Sequence, residues 1–171
     1  MTDTQQHDPM IDYLSIVLER LKADGFSISE GIHYKRYSFK YVAKRARFQI
    51  EFFGFAEFLF IFKEFPDIDR KLLREFSDVC YKYACRTKII PFANVPFDYA
   101  YCFPVALVHK LDEATAQAIR SEDPPRLFAG YEMPVICDLA AKKIYYSEQN
   151  PIRSALAHEY FRGMVRSMLS P

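Results

Sequence analysis

"HYKRYSFKYVAKRARFQIEFFGFAEFLFIFKEF", residues 33–65, decides the fold of this chain. From Tyr37 onward, aromatic and apolar residues alternate with charged ones, which is typical of strands with one solvent-exposed face. The alternation breaks at residues 42–44 and then resumes, so we predict two strands, of which the second ends near Phe52. Residues 57–65 follow, apolar on both faces, and predict a third strand at the centre of its sheet.

Helical spacing of apolar residues appears on both sides of these strands. Asp8-Pro9 is a favourable helix start, and Gly25 is expected to end that first helix. Pro66-Asp67 opens a helix with the strongest apolar stripe in the chain. This stripe is expected to pack on the sheet, and its main members are Leu72, Phe76, Val79 and Tyr83.

Two later segments share an apolar-Pro-Val opening, at residues 103–108 and 133–139. We predict a strand in each, with the proline at the strand start, where no ladder hydrogen bond is needed. A short helix over 112–120 separates them, and a further strand and a last helix follow. The order α-βββ-α-β-α-ββ-α predicts an α+β fold with a mainly antiparallel sheet of about five to six strands and helices packed on it.

The length of 171 residues fits one domain, which we place at residues 9–171 after a flexible N-terminal leader at residues 1–8. The leader is polar and has no apolar core, so it is not a secretory signal. The longest apolar run, Phe52–Phe62, contains Glu57 and is too short to cross a bilayer. We therefore expect a cytoplasmic protein with no membrane partner, in which the four cysteines are buried free thiols.

The net charge of +1 conceals an uneven distribution of charge. Residues 33–49 carry six Lys or Arg and no acidic residue, which leaves 17 basic and 22 acidic residues in the rest of the chain. Such a stretch is a candidate for contact with phosphates or with a partner. The candidate residues are Lys35, Arg36, Lys40, Lys44, Arg45 and Arg47.

The alternation argues against nucleic acid as the partner of this basic hairpin. Tyr37, Phe39 and Tyr41 are expected to point into the core, while the charges point to solvent. Bases would then find positive charge without an aromatic stacking surface. Nucleic-acid binding by residues 33–49 is therefore the alternative function, and a solvated edge hairpin is the simpler interpretation.

No motif for catalysis or metal binding is complete. The "AHEYFR" helix has Arg162 where a zinc-protease motif needs a second histidine, so His158 is expected to be an ordinary helix residue. The cysteines form no closely spaced pair, and no Gly-x-Ser-x-Gly elbow is present. We predict no catalytic residue, no metal and no cofactor.

A metal-dependent hydrolase or nuclease-like enzyme is the second alternative, because such a site needs carboxylates and a lysine beside a central strand. The candidates are Glu51, Glu57, Lys63 and Glu64, all near the ends of the third strand. Solvated strand ends explain these residues more simply.

The sequence predicts a loop that contains the polar and aromatic residues Asp98, Tyr99 and Tyr101, which are candidates for the lining of a pocket. The whole chain contains 16 Phe and 12 Tyr residues, some of which must reach the surface. Aromatic residues together with Arg are the usual anchors of protein interfaces. We therefore predict a non-catalytic interaction or regulatory domain whose partner is a protein, a second copy of the chain being one option.

Overall fold

The computed structural model describes residues 8–49, 54–88, 99–123, 130–149 and 155–171. The helices are α1 (Pro9–Ala23), α2 (Arg70–Arg86), α3 (Glu113–Arg120) and α4 (Ala155–Leu169). The strands are β1 (Ser27–Tyr34), β2 (Tyr37–Gln49), β3 (Gly54–Phe65), β4 (Tyr99–Val108), β5 (Gly130–Glu132), β6 (Val135–Asp138) and β7 (Lys143–Tyr145).

All seven strands belong to one sheet, in the order β1-β2-β3-β4-β6-β7, with β5 also paired to β4. The first three strands are antiparallel neighbours, and β7 is antiparallel to β6. β4 lies parallel to β3, and both β5 and β6 lie parallel to β4. Helices α2 and α3 provide the crossovers that these parallel pairings require. The predicted α+β fold is thus confirmed, and the element order broadly matches, in a mixed sheet of seven described strands with three instead of two between α3 and α4.

Helices cover both faces of this sheet. α1 and α4 pack Val17, Leu21, Val165 and Leu169 into the core on one face. α2 and α3 pack Leu73, Phe76, Ala116 and Ile119 into the core on the other face. The predicted inward stripe of α2 is confirmed at Phe76, which is fully buried, whereas its other members are half-buried.

β3 lies at the centre, as its sequence predicts. Phe58, Phe60 and Phe62 point toward α1 and α4, and Leu59 and Ile61 point toward α2. All five side chains are fully buried. A strand with apolar residues on both faces is stable only where both faces are covered, which explains its central position.

Aspartates begin three of the helices. The Asp8 side chain accepts a hydrogen bond from the Met10 amide, which confirms the predicted start of α1. α2 begins three residues later than Asp67 predicts, because Asp69 is its cap and accepts from the Leu72 amide at 2.7 Å. Asp112 caps α3 in the same way.

The stretch at residues 27–49 differs from the predicted pair of short strands. β1 was absent from the prediction, and β2 runs without the break expected at 42–44. The interruption in the pattern is a change of face instead: Tyr37 and Phe39 pack under α2, whereas Tyr41 and Ala43 pack under α1 and α4. The expectation that Tyr41 shares a face with Tyr37 is therefore wrong.

The change of face occurs where β1 carries Gly31. This glycine has φ +62°, a left-handed conformation that few other residues adopt without strain. β1 is also the edge of the sheet and is largely exposed, so its sequence lacks a clear apolar alternation. The charged residues of β2 are consequently distributed over both faces.

The two Pro-Val segments are neighbours in the sheet. Val105 pairs with Val135, so the segments lie side by side in parallel with their prolines at the same level. Pro104 is in the middle of β4 and not at its start, which corrects the prediction for that strand. Pro134 separates β5 from β6, although the Met133 amide still donates to the Cys102 carbonyl at 3.0 Å. This local break in the ladder sets the position of Glu132.

Candidate functional site

Lys44, one of the six candidate basic residues, is bound inside the protein. Its ammonium lies 2.9 Å from the carboxylate of Glu57, and its side chain is only 15 % exposed. It also donates a hydrogen bond to the carbonyl of Thr87, at the end of α2. Lys44 therefore joins β2, β3 and α2, and it is not available to a phosphate.

Arg45 is also held within the protein, on the opposite face. Its guanidinium pairs with the carboxylate of Asp24 and donates to the Asp24 carbonyl at 2.6 Å. It lies over the rings of Phe26 and Phe58, at 4.5 Å and 5.5 Å from their centroids. The expectation that Arg45 points to solvent is wrong, because the change of face turns it onto the α1 side.

The other four basic residues are more accessible. Arg36 pairs with Glu75 of α2 at 2.6 Å, and Lys40 lies 3.5 Å from Glu64. Lys35 occupies the β1–β2 turn with φ 53°, and Arg47 is exposed near the end of β2. Because these residues lie on different faces and ends of the hairpin, they do not form one continuous positive surface.

The structure describes two of the three predicted pocket residues, Tyr99 and Tyr101. Tyr101 is in β4 and not in a loop, and it is 6 % exposed between Phe58 and Phe161. Tyr99 is the first residue of the same strand. Asp98 lies outside the described residues. Tyr101 is therefore a core residue, and the pocket that it was expected to line with Asp98 and Tyr99 stays a prediction.

The distal end of the β2–β3 hairpin carries an exposed aromatic pair. Phe48 and Phe55 face each other across the two strands, with ring centroids 5.2 Å apart, and are 53 % and 48 % exposed. Among the described residues, β1 ends opposite Lys44 and β4 begins opposite Ala56, so neither of these strands reaches the two rings. We call Ala46, Arg47, Phe48 and Phe55 the hairpin arm.

His158 is buried in a contact that the sequence did not indicate. Its ring lies 2.5 Å from the Tyr131 hydroxyl, and Tyr131 in turn stacks on Phe161. Burial lowers the pKa of His158, and the nearby Arg162 lowers it further. Arg162 donates to the carbonyls of Ser147 and Gln149, so this group fastens α4 to the chain that precedes it.

A cleft lies between α2, the end of α3 and the break between β5 and β6. Its volume is about 370 Å³. Its apolar lining is Leu73, Ile119, Met133 and Pro134, and its polar lining includes Ser77, Asp78, Glu122, Asp123, Glu132 and Ser147. We call it the Glu132 cleft, because that residue is its most buried charged group.

Glu132 is 7 % exposed and accepts a hydrogen bond from the Ser77 hydroxyl. Burial raises the pKa of Glu132 to about 7, and the negative charge of Asp78 contributes to the shift, while Lys82 opposes it. Its carboxyl group thus changes charge in the neutral pH range. The sequence analysis missed this residue, although an acid between Tyr131 and the apolar Met133-Pro134-Val135 is an unusual feature of a buried strand.

The three described candidate residues for a metal-dependent hydrolase, Glu57, Lys63 and Glu64, have separate partners. Glu57 is paired with Lys44, and Glu64 lies near Lys40. Lys63 lies over the rings of Tyr37 and Phe65, and Glu51 is outside the described residues. Within the described ranges, no three His, Cys, Asp or Glu side chains are grouped so that they could hold a metal ion.

The cysteines are free thiols, as predicted. Cys80, Cys102 and Cys137 are buried, but Cys85 is exposed, which corrects the prediction for that residue. Burial raises the pKa of Cys137 to about 12 even though the Tyr13 hydroxyl lies 3.1 Å from its sulfur. A thiol that stays protonated is a poor nucleophile.

A comparison of the chain with protein-family models, with curated proteins and with solved structures finds no match. Across the part of the chain that the structure describes, every helix is too short or too polar to traverse a bilayer. The assignment of function therefore depends on the sites themselves.

Proposed function

We propose that this chain is a non-catalytic interaction domain that binds an extended, acidic segment of a partner protein through the hairpin arm. The observation that carries the proposal is the exposed Phe48–Phe55 pair, which extends beyond both neighbouring strands. Aromatic residues and Arg dominate the binding energy of protein interfaces, and Arg47 immediately precedes Phe48 in β2.

The backbone of the arm supports an extended partner. β1 pairs with β2 only as far as Lys44, so among the described residues no strand adjoins the outer edge of residues 45–49. An open strand edge can accept another strand, whose main-chain hydrogen bonds contribute affinity while side chains provide selectivity. The same edge would otherwise favour aggregation.

Charge favours an acidic partner over a second copy. The described residues of the arm include Arg47 and no acidic side chain. A two-fold pairing centred on this segment would bring the Arg47 side chains of two copies together, and like charges directly opposite each other are destabilising. A segment with an acidic residue at that position would gain a favourable pair instead.

The test is selection of peptides from a random displayed library on the immobilised protein. Selected peptides are expected to be rich in Asp or Glu among apolar residues, and to lose binding to a Phe48→Ser/Phe55→Ser variant. The matched control is Ile11→Ser/Ile16→Ser, which removes two exposed apolar side chains of α1, 62 % and 45 % exposed, and should bind normally. Arg47→Glu should weaken acidic peptides and strengthen their Lys-substituted versions.

Three outcomes would contradict the proposal. The first is selection of peptides that bind the arm variant and the wild type equally. The second is a dimer in sedimentation velocity that the arm substitutions dissociate, which would make a second copy the occupant. The third is oligonucleotide binding at physiological salt that depends on Arg47, which would favour the nucleic-acid alternative.

We also propose that the protein works in the cytoplasm. The supporting observation is that all four cysteines are free, including the exposed Cys85. Oxidising compartments convert accessible thiols to disulfides, whereas the cytoplasm keeps them reduced. Fractionation of cells that express the chain, with a thiol-labelling reagent to report Cys85, tests this location.

A further inference from the structure

We propose that the Glu132 cleft binds a small organic cation, a protonated amine with an apolar body, whose charged end lies between Glu132 and Asp78. This site is separate from the hairpin arm, and the inference does not depend on the function proposed for the arm. It follows from the size of the cleft, its lining, its charge and the bonding of Glu132.

The size and lining fit a small, partly apolar ligand. A volume of about 370 Å³ is near the lower end of the range for small-molecule sites. Leu73, Ile119, Met133 and Pro134 offer hydrocarbon surface on several sides, and Pro134 is the residue that separates β5 from β6. Such sites combine a mostly apolar wall with a few polar groups that orient the ligand.

The charge of the lining selects a cation. Among the described residues, four carboxyl groups line the cleft, those of Asp78, Glu122, Asp123 and Glu132, and Arg74 is the one cationic residue. Arg74 is itself bound to Glu122, which also receives Arg70. Asp78 pairs with Lys82 at the exposed surface of α2. Among the described residues, no Lys, Arg or His is paired directly with Glu132, and Lys82 offsets only part of the effect of its burial.

The bonding of Glu132 shows where the cation binds. Within the described part of the chain, Ser77 is its one hydrogen-bond partner and binds one carboxylate oxygen. A buried carboxylate is stable when its oxygens accept several hydrogen bonds or meet a cation. An ammonium group carries three donors and a positive charge, and can therefore satisfy the second oxygen of Glu132 together with Asp78.

Binding should depend on pH through Glu132. Among the described residues, the ionisable groups near it are Arg74, Asp78, Cys80, Tyr81 and Lys82 of α2, Cys102 of β4, and Glu122 and Asp123 after α3. Since its pKa is about 7, the charged form is a small fraction near pH 6 and predominates near pH 8. A cation that needs the carboxylate should bind about tenfold more tightly at about pH 8 than at about pH 6.

The experiment is calorimetric and ligand-observed NMR titration of the full chain with phenethylamine, agmatine and cadaverine, and with 2-phenylethanol as the neutral counterpart of the first. At least one amine should bind, with the expected gain in affinity between the two pH values. Glu132→Gln should weaken that binding by more than about tenfold and remove its pH dependence. Glu113→Gln, at an exposed acid on α3, is the matched control and should bind as the wild type does.

Asp78→Asn provides a second variant, because Asp78 is exposed and its replacement does not threaten the fold. It should weaken the amine by less than Glu132→Gln. Failure of all three amines to bind would overturn the proposal, as would equal binding by Glu132→Gln. Binding of 2-phenylethanol as tightly as phenethylamine would show an apolar site with no selectivity for cations, and saturable binding of Mg²⁺ or Mn²⁺ that excludes the amine would show a metal site.

Discussion

Two glutamates, Glu57 and Glu132, are buried on the same face of the sheet, under α2, and they differ in what compensates the carboxyl group. Glu57 of β3 pairs with position Ala100 of β4, and Glu132 of β5 pairs with position Cys102 of the same strand. Glu57 has an internal cation, Lys44, and is fully buried. Glu132 has a hydroxyl partner, Ser77, and faces a cleft.

The difference separates a structural role for Glu57 from the binding role that we propose for Glu132. The charge of Glu57 is compensated by the chain itself, so Glu57 and Lys44 fix the relation of β2, β3 and α2. The described residues place no ion-pair partner on Glu132, and burial raises the pKa of its carboxyl group. A buried carboxyl with an open side and a shifted pKa is the usual sign of a functional site, whereas a closed ion pair is not.

The largest effect is expected from Lys44→Met, which leaves Glu57 buried without its cation. Loss of one partner of a buried pair typically costs about 3–5 kcal/mol, and urea denaturation measures the loss. The double variant Lys44→Met/Glu57→Leu should regain most of that stability, because no buried charge remains. Equal stability of the single variant and the wild type would show that the pair is solvated and would remove the contrast with Glu132.

Glu132→Gln, unlike Lys44→Met, should stabilise the protein, and the gain in stability should grow as the pH rises. Between the usual carboxyl pKa of 4.5 and the raised value of about 7, the folded protein retains a proton that the unfolded chain has released. Wild-type stability therefore falls as the pH rises through this range, by about 3 kcal/mol at most. The variant resembles the protonated form and should keep that stability at about pH 8.

Urea denaturation at about pH 5 and about pH 8 measures this difference. The control Glu113→Gln should retain the pH dependence of the wild type. Parallel pH profiles of the variant and the wild type would show that Glu132 has no raised pKa and would contradict this prediction.

A comparison of Arg45→Met with Arg47→Met tests the distinction between an internally paired and an exposed basic residue of residues 33–49. Arg45 loses charged hydrogen bonds to Asp24 and its contact with Phe26, which should cost about 2 kcal/mol. Arg47 is exposed, and its replacement should change stability by less than about 0.5 kcal/mol. Thermal melts of the two variants check this order, and a larger loss at Arg47 would reverse the assignment.

The smallest effect on stability is expected from Phe48→Ser/Phe55→Ser. An exposed cross-strand aromatic pair contributes about 1 kcal/mol or less, so the melting temperature should shift only slightly while peptide binding through the arm is lost. A collapse in stability would show that the pair is part of the core.

The local sequence determined those elements whose apolar residues repeat with a single period. The α2 stripe and the two-faced apolar run of β3 are visible in the sequence because the sheet buries Phe76 and the elements on both faces of the sheet bury residues 58–62. The aspartate that begins α1 was also predictable from the local sequence, because capping involves residues only a few positions apart.

The tertiary structure alone decided which charges meet. Lys44 and Glu57, Arg45 and Asp24, and Ser77 and Glu132 are far apart in sequence, and strand register and helix docking bring them together. The change of face at Gly31 moved Arg45 from the predicted solvent side to the α1 side. The period of the apolar residues describes one strand at a time. The partner of a buried charge depends on how all the strands and helices pack together. For that reason the Glu132 cleft was not visible in the sequence.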